Sequence, residues 1–196
     1  MINGLSDSTH PCQALADALT MREHFGPDLK GLKVVFVGDG NNVSRSLARI
    51  CVHVGARFVL AAPRAYQFTD EDRVDFGAAW GSSITQTDDI TVAASGADVL
   101  YSDVWTSMGQ EAEKAKRLAD FAGFSITAKL LKLGSPRCRI MHCLPAHRGE
   151  EIDDEAMECP ASIVFDQAEN RLHAQKAVLR LLMGDDREAV IAAARA

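Results

Sequence analysis

The segment at residues 33–38, KVVFVG, constrains the fold of this chain more than any other. It is short, apolar and rich in β-branched residues, and glycines stand at positions 31 and 38. A run of this kind without polar alternation predicts a strand that is buried on both faces. Such strands occur in parallel sheets whose two faces are covered by helices. The rest of the chain must therefore supply those helices and further strands.

Strand and helix signals alternate along the chain. Further short apolar runs lie at residues 57–62, 97–101, 139–142 and 162–165. Stretches with helical spacing lie at residues 13–25, 43–54, 110–121, 126–133 and 169–183, with a weaker one after Thr69. This alternation predicts an α/β fold: a doubly wound, mainly parallel five-stranded sheet with helices on both faces, which is Rossmann-like. We expect one domain over residues 1–184 and a helical tail over residues 185–196.

Composition and charge disfavour several classes of partner. The 196 residues carry a net charge of −6, whereas nucleic-acid binding relies on clustered Lys and Arg. No window approaches the ~18 consecutive apolar residues of a membrane span, and residues 1–10 lack the layout of a signal peptide. The five cysteines show no CxxC spacing, which favours reduced thiols over disulfides or a zinc site. We therefore expect a cytoplasmic protein that binds neither nucleic acid nor membrane.

The motif HPCQ, residues 10–13, predicts the start of a helix. Pro11 suits the first helical position because its missing N–H would have no partner there. His10 and Gln13 are then expected near a helix N-terminus, where free N–H groups and the helix dipole favour anions. This arrangement could hold a phosphorylated acyl group, and an ordinary helix cap with a surface histidine is the alternative.

The motif GDGNN, residues 38–42, is similar to a nucleotide-binding glycine turn without matching it. The last glycine of the GxGxxG fingerprint is missing, and the second predicted strand does not end in an acidic residue. An NAD-dependent oxidoreductase is therefore a weak alternative. Asn41 and Asn42 instead offer amides to an amino-acid head group, although paired asparagines also commonly form turns.

The motif DVWTSMG, residues 103–109, places Asp103 at the end of a predicted strand and Ser107 four residues later. A carboxylate pairs naturally with an ammonium group. Ser107 and the backbone near Met108 could then fix the remaining polar atoms of a zwitterion. An ordinary loop is the alternative for this segment alone.

The motif HCLP, residues 142–145, places Cys143 just beyond another predicted strand. A thiol has an ordinary pKa of about 8.5, so a neighbouring charge decides whether it can accept or share a proton with an amine. A nucleophilic Cys–His pair is disfavoured because His142 and Cys143, as adjacent strand residues, point to opposite faces. An inert core cysteine is the alternative.

The motif ENR, residues 169–171, opens the last predicted helix of the domain. Arg171 could aim its planar fork of N–H donors at a phosphate or a carbonyl oxygen. A solvated surface arginine is the usual alternative. No motif decides the function by itself.

Taken in order, these motifs resemble the second half of the ornithine carbamoyltransferase family. The resemblance rests on NGLSD followed by HPCQ, and then on GDGNN, DVWTSMG, HCLP and ENR. It covers nearly everything from residue 2 to residue 183. Its most specific parts are the SMG loop at residues 107–109 and the HCLP motif.

The resemblance implies a reaction and a set of site residues. The family moves the carbamoyl group of carbamoyl phosphate to the side-chain amine of L-ornithine, giving L-citrulline and phosphate in arginine metabolism, without metal or organic cofactor. The residues implied for ornithine are Asn42, Asp103, Ser107 and Met108. Those implied for carbamoyl phosphate are His10, Gln13, Cys143, Leu144 and Arg171. The implied catalytic residues are Cys143, Asp103, His10 and Arg171, and the implied assembly is a homotrimer or a multiple of it.

One departure from the family affects the expected activity. The STRTR-type phosphate loop of the family's first domain has no counterpart in this sequence. We therefore expect the chain to supply the ornithine site and to be inactive alone. A non-catalytic amino-acid-binding module derived from the same fold is the alternative.

Overall fold

A five-stranded parallel sheet forms the centre of the molecule. The computed structural model describes residues 2–106, 109, 111–185 and 187–195. The strands are β1 (Lys33–Val37), β2 (Arg57–Ala61), β3 (Ile84–Thr87), β4 (Val99–Ser102) and β5 (Arg139–His142). Their spatial order is β3-β2-β1-β4-β5, and every neighbouring pair runs parallel. The predicted doubly wound α/β fold is confirmed, with the change of direction in strand order between β1 and β4.

Helices connect the strands. They are α1 (Pro11–Phe25), α2 (Asn42–His53), α3 (Asp70–Phe76), α4 (Ile90–Ala94), α5 (Lys114–Asp120), α6 (Ala128–Leu131), α7 (Asp154–Glu158), α8 (Val164–Met183) and α9 (Arg187–Arg195). The stretch predicted as a helix at residues 110–121 divides into a 3-10 turn, Glu111–Glu113, and α5. The tail contains α9, and the domain boundary after residue 184 stays a prediction. In the described part of the chain, no helix has the length and apolarity needed to cross a membrane.

The fifth strand was predicted in the wrong place. Residues 162–165 form no strand, because Ser162 makes only an isolated bridge with Ile140 and α8 already begins at Val164. This run is apolar because it enters the core at the start of a helix. Four residues are too few for the hydrophobic periodicity to distinguish a strand from a helix. The true β3 was missed because it is an edge strand in which only Ile84 is buried.

Each face of the sheet carries its own hydrophobic core. Val34 and Phe36 of β1 pack on one face among buried residues of α1 and α2, including Met21 and Leu47. The other face packs Val35 and its neighbours against α4, α6 and α7. Because successive strand residues point to opposite faces, an apolar run without alternation serves both cores at once.

Helix α1 begins as the HPCQ motif predicts, with Pro11 in its first turn, and it lies alongside α8. Asn170 Nδ2 of α8 donates to Thr20 Oγ1 of α1 at 3.0 Å, and His24 Nε2 lies 2.9 Å from Asp166 Oδ2. This packing brings together two motifs that are separated by about 160 residues of sequence.

Candidate functional site

A cleft of about 1090 Å³ lies at the carboxyl ends of β1, β4 and β5. Ligands bind at this edge of open α/β sheets, where the strand order changes direction. Six of the predicted site residues line it: His10, Asn42, Asp103, Cys143, Leu144 and Arg171. Ser107 and Met108 lie outside the described residues, and Gln13 is buried behind the cleft. The roles of these residues stay predictions.

Asp103 lies directly after β4 at the centre of the cleft, and it is only 8% exposed. Its Oδ2 accepts a hydrogen bond from Asn41 Nδ2 at 2.8 Å. Its Oδ1 accepts from Cys143 Sγ at 3.0 Å and from the Val104 backbone N–H at 2.8 Å. All three donors are neutral, so none of them offsets the negative charge of a carboxylate. The arrangement suits a cationic ligand such as an ammonium group.

Cys143 is a hydrogen-bond donor in this cleft. Burial, followed by the nearby charge of Asp103, raises the pKa of its thiol well above the ordinary value. The thiol therefore remains protonated at neutral pH, which favours the donating role over accepting a proton from an amine. His142 is directed elsewhere: its Nδ1 accepts from the Leu144 backbone N–H, and its Nε2 lies 3.3 Å from Glu151 Oε1. This geometry also disfavours a Cys–His nucleophile pair.

Leu144 lines the cleft in a left-handed conformation, with φ at 56°, and a cis peptide bond joins it to Pro145. A left-handed residue other than glycine is uncommon, and such backbone strain costs about 1–3 kcal/mol. Strained residues concentrate at ligand sites, where the surrounding structure holds them in place. The turn carries the chain from the end of β5 across the wall of the cleft.

His10 precedes α1 and is partly buried at the cleft. Burial and then the positive charge of Arg171 lower the pKa of its imidazole below the ordinary 6.5, so the ring is neutral at pH 7. Its Nδ1 is buried and has no hydrogen-bond partner among the residues that the structure describes. Its backbone N–H donates to Ser46 Oγ at 2.7 Å, which fixes the residue at the start of the helix. The neutral ring is therefore available to a ligand.

Arg171 is held by two glutamine side chains. Its Nη1 donates to Gln13 Oε1 at 2.6 Å. With the Gln175 amide turned so that its oxygen faces the guanidinium, that oxygen accepts from Nη2 at 2.8 Å and from Nε at 3.2 Å. Of the five N–H donors of the guanidinium, contacts with described residues use three, which leaves one on each terminal nitrogen with respect to that part of the chain. Gln13 thus positions Arg171, and its predicted contact with carbamoyl phosphate stays a prediction.

A buried polar network lies behind these residues, and sequence reasoning missed it. Asp17 is fully buried, and its carboxylate accepts from Gln13 Nε2 at 2.9 Å, Gln167 Nε2 at 2.7 Å and Tyr101 Oη at 3.2 Å. Gln167 Oε1 in turn accepts from the His142 backbone N–H at 2.8 Å. The network thus joins α1, α8 and the end of β5. A usable signal was the spacing of four residues between Gln13 and Asp17, which places both on one helix face.

Thr106 and Lys114 are among the cleft residues that were not predicted. Thr106 Oγ1 is buried at the cleft and has no hydrogen-bond partner among the described residues. Lys114 also lines the cleft, and its Nζ lies 3.3 Å from Glu150 Oε1. Thr106 stands inside the DVWTSMG motif and could have been included with it. No sequence pattern indicated Lys114.

The first turn of α2 is already capped from within the protein. Asn41 Oδ1 accepts from the backbone N–H groups of Val43 and Ser44, each at 3.0 Å. A dinucleotide pyrophosphate would need such helix N-terminal donors to be free. The capping therefore argues against the oxidoreductase alternative.

Gly40 allows the GDGNN loop to pass close to the loop after β2. A Cβ at this position would lie 3.0 Å from the Tyr66 carbonyl oxygen and 3.1 Å from backbone atoms of Gln67 and Phe68. We expect Gly40→Ala to lower the free energy of unfolding by about 1–3 kcal/mol, because backbone atoms must move to admit the methyl group. Urea denaturation followed by circular dichroism measures this change. The control is Gly4→Ala, because a Cβ at Gly4 meets nothing within 4 Å. An equal loss in the free energy of unfolding in both variants would show that the close backbone approach at Gly40 is not the cause.

Comparison with known proteins agrees with this geometry. Residues 30–182 match the family described as aspartate/ornithine carbamoyltransferase, Asp/Orn binding domain. The chain belongs to this family. It is 54% identical over 185 residues to ornithine carbamoyltransferase of Methanoculleus marisnigri, covering 94% of this chain and 59% of the relative. The Bacillus subtilis enzyme is 50% identical, with 93% and 58% covered.

A solved structure gives the same result for the fold. Ornithine carbamoyltransferase from Pyrococcus furiosus superposes with a TM-score of 0.85 at 49% identity, covering 94% of this chain and 59% of that one. The family expected from the motifs is thereby confirmed. The chain spans just under three fifths of the length of the relatives it matches.

Proposed function

We propose that this chain forms the ornithine-binding part of an ornithine carbamoyltransferase, which transfers the carbamoyl group of carbamoyl phosphate to the side-chain amine of L-ornithine. The observation that carries the proposal is the carboxylate of Asp103, held by neutral donors in one cleft with His10 and Arg171. Because the chain spans about 59% of its relatives, we propose the reaction for the complete enzyme.

Asp103 is the proposed partner of the ornithine side chain. An alkyl amine has an ordinary pKa of about 10.4, so it arrives mostly as an ammonium that pairs with a carboxylate. Cys143 donates to the same carboxylate and so fixes its orientation. Asn42 lies nearby with its Nδ2 bonded to the Ser6 carbonyl oxygen at 2.7 Å. We propose that Asn42, Ser107 and Met108 bind the amino-acid head group.

His10 and Arg171 are proposed to bind the carbamoyl group. In the transfer, a bond forms from the amine nitrogen to the carbonyl carbon. The bond from that carbon to the phosphate oxygen breaks, and its electron pair leaves with phosphate. The nitrogen loses two protons in all, one when the ammonium becomes the attacking amine and one when the new amide forms. The departing phosphate takes one of these protons and solvent takes the other. Negative charge develops on the carbonyl oxygen, where the neutral ring of His10 and the free N–H groups of Arg171 can stabilise it. Holding both reactants in one cleft supplies a further part of the acceleration.

Replacing Asp103 with asparagine tests the ornithine side. We expect isothermal titration calorimetry to show L-ornithine binding to the unmodified chain and at least about tenfold weaker binding to Asp103→Asn, because an ion pair is lost. Asp88→Asn is the control, since Asp88 is exposed, pairs with Arg64 and lies away from the cleft. Equal ornithine affinities in the unmodified chain and in Asp103→Asn would contradict the assignment.

A citrulline assay and the native mass test the larger proposal. We expect no citrulline from this chain alone, and citrulline when the separately produced carbamoyl phosphate domain of a relative is added. Ornithine binding without turnover in that mixture would favour the non-catalytic amino-acid-binding module. Citrulline from the chain alone would mean that no further phosphate-binding segment is required.

We propose that the complete enzyme is a homotrimer or a multiple of it. Native mass spectrometry measures this oligomeric state directly.

A further inference from the structure

A cluster of metal-binding side chains lies at the rim of the cleft, outside the proposed ornithine site. His147, Glu150 and Glu151 each offer one ligand atom, and these three atoms lie within 4.8 Å of one another. The resemblance to the family implied no metal, and none of the sequence motifs described above includes His147. We infer that these three residues bind one divalent transition-metal cation of the class that includes Zn²⁺.

The loop between β5 and α7 holds the three side chains together before any cation binds. Gly149 adopts φ 88°, which a residue with a side chain rarely does, and this makes a tight turn possible. The Glu150 backbone N–H donates to the His147 carbonyl oxygen at 3.0 Å, and that of Gly149 donates to the Ile152 carbonyl oxygen at 2.8 Å. Ile152 is fully buried and anchors the loop to the core. The turn therefore places His147 beside the two glutamates.

Glu151 supplies a second, independent indication of a ligand. Its side chain is 0% exposed, and its Oε2 is buried and has no hydrogen-bond partner within the described ranges of the chain. The other oxygen, Oε1, accepts from the His147 backbone N–H and lies 3.3 Å from His142 Nε2. Oε2 lies 3.8 Å from His147 Nδ1, which is beyond hydrogen-bond distance. A buried carboxylate oxygen without a partner is costly, and a cation between these atoms would remove that cost.

The neighbouring charges leave room for a cation. Arg148, in the same turn, points away and pairs with Asp154 and Glu158. Lys114 pairs with Glu150 from across the cleft and would be displaced by a bound metal. That displacement would release the Lys114 ammonium into the cleft.

The donor set selects the class of metal. One imidazole nitrogen and two carboxylate oxygens suit Zn²⁺ and its neighbours, whereas Mg²⁺ and Ca²⁺ prefer oxygen ligands alone. Zinc binds these donors at about 2.0–2.2 Å, so the ligand atoms must approach one another somewhat on binding. His147 is 46% exposed and therefore free to rotate. Two of the three proposed ligands, His147 and Glu150, line the cleft.

Zinc titration of the purified chain by calorimetry tests the inference. We expect one high-affinity Zn²⁺ per chain, with affinity reduced at least about tenfold in His147→Gln and in Glu150→Gln, because even changes outside the ligand shell of a metal cost about 10–100-fold. His173→Gln is the matched control, since His173 is exposed and pairs with Glu169 on α8. Both glutamine variants keep Glu151 and its buried contacts, so they should retain the circular dichroism spectrum of the unmodified chain.

Cobalt spectroscopy separates this site from the free cysteines. We expect the Co²⁺ complex to lack the strong near-ultraviolet band of a sulfur–cobalt bond, because the proposed ligands are nitrogen and oxygen. Three outcomes would overturn the inference: a dissociation constant for Zn²⁺ weaker than about 10 μM, unchanged affinity in His147→Gln, or a sulfur–cobalt band. None of these readouts depends on carbamoyl transfer, so the test stands apart from the proposed function.

Discussion

Replacing Arg117 with methionine is expected to lower the free energy of unfolding by about 3–5 kcal/mol, the cost of breaking a buried ion pair from one side. The Arg117 side chain is 7% exposed, and its Nη1 donates to Asp39 Oδ2 at 2.7 Å and to the Trp105 carbonyl oxygen at 2.9 Å. Burial raises the pKa of Asp39, and Arg117 opposes that shift. Methionine keeps the unbranched apolar stem of the side chain but removes the guanidinium, which leaves the Asp39 carboxylate without its hydrogen-bonded cation. Urea denaturation at pH 7 measures the loss.

Two further variants isolate the ion pair. Arg137→Met is the matched control, because Arg137 pairs with Asp98 while its side chain is 60% exposed, and we expect it to cost less than about 1 kcal/mol. Combining Asp39→Asn with Arg117→Met should restore part of the stability, since the only carboxylate of the two ion pairs that then loses its partner is that of Glu113, whose side chain is 59% exposed. Similar losses in Arg117→Met and Arg137→Met would show that burial of the pair does not matter.

The free energy of unfolding is expected to fall by about 2–3 kcal/mol as the pH rises from 5 to 8, through the titration of Asp17 alone. Burial raises the pKa of Asp17 from 3.8 to about 7, and hydrogen bonds from Gln13, Gln167 and Tyr101 only partly oppose the shift. The folded protein therefore holds this proton more tightly than the unfolded chain does. The contribution to stability is fully present below about pH 4 and is lost as the pH rises through about 7. Urea denaturation at several pH values follows it.

Asp17→Asn should remove this pH dependence without disrupting the network. Both glutamine amides donate to Asp17 Oδ1, which the asparagine oxygen can replace. The asparagine Nδ2 then takes the position of Oδ2 and can donate to Tyr101 Oη, which lies 3.2 Å away. We expect Asp17→Asn to exceed the unmodified chain in stability at pH 8. Asp70→Asn is the control, because the Asp70 side chain is 92% exposed. If the free energy of unfolding depends on pH equally in the unmodified chain, Asp17→Asn and Asp70→Asn, then Asp17 is not the source of that dependence.

The sequence by itself determined the fold class, the family and the place of the cleft. An apolar run without alternation, such as Val34 to Val37, can only be buried on both faces, so a helix-covered parallel sheet follows. Pro11 marked the start of α1 because its missing N–H suits that position alone. Asp103 and Cys143 each follow a predicted strand, and parallel strands end at the same edge of the sheet, where ligands bind.

Other features were decided only by the tertiary structure. Edge strand β3 has a single buried residue, Ile84, so it lacks the apolar pattern that marks a strand. The run at residues 162–165 enters a helix because its neighbours in the core, and not its own periodicity, fix its conformation.

The contacts that hold the cleft residues in place were also decided only by the tertiary structure. Gln13 meets Arg171 across 158 positions of sequence, and Arg117 meets Asp39 across 78. A polar side chain carries no local signal of such a partner, because the partner is chosen by packing of distant elements. The motifs therefore identified residues that face the cleft. The packing of α1, α5 and α8 decided which polar groups hold those residues in place.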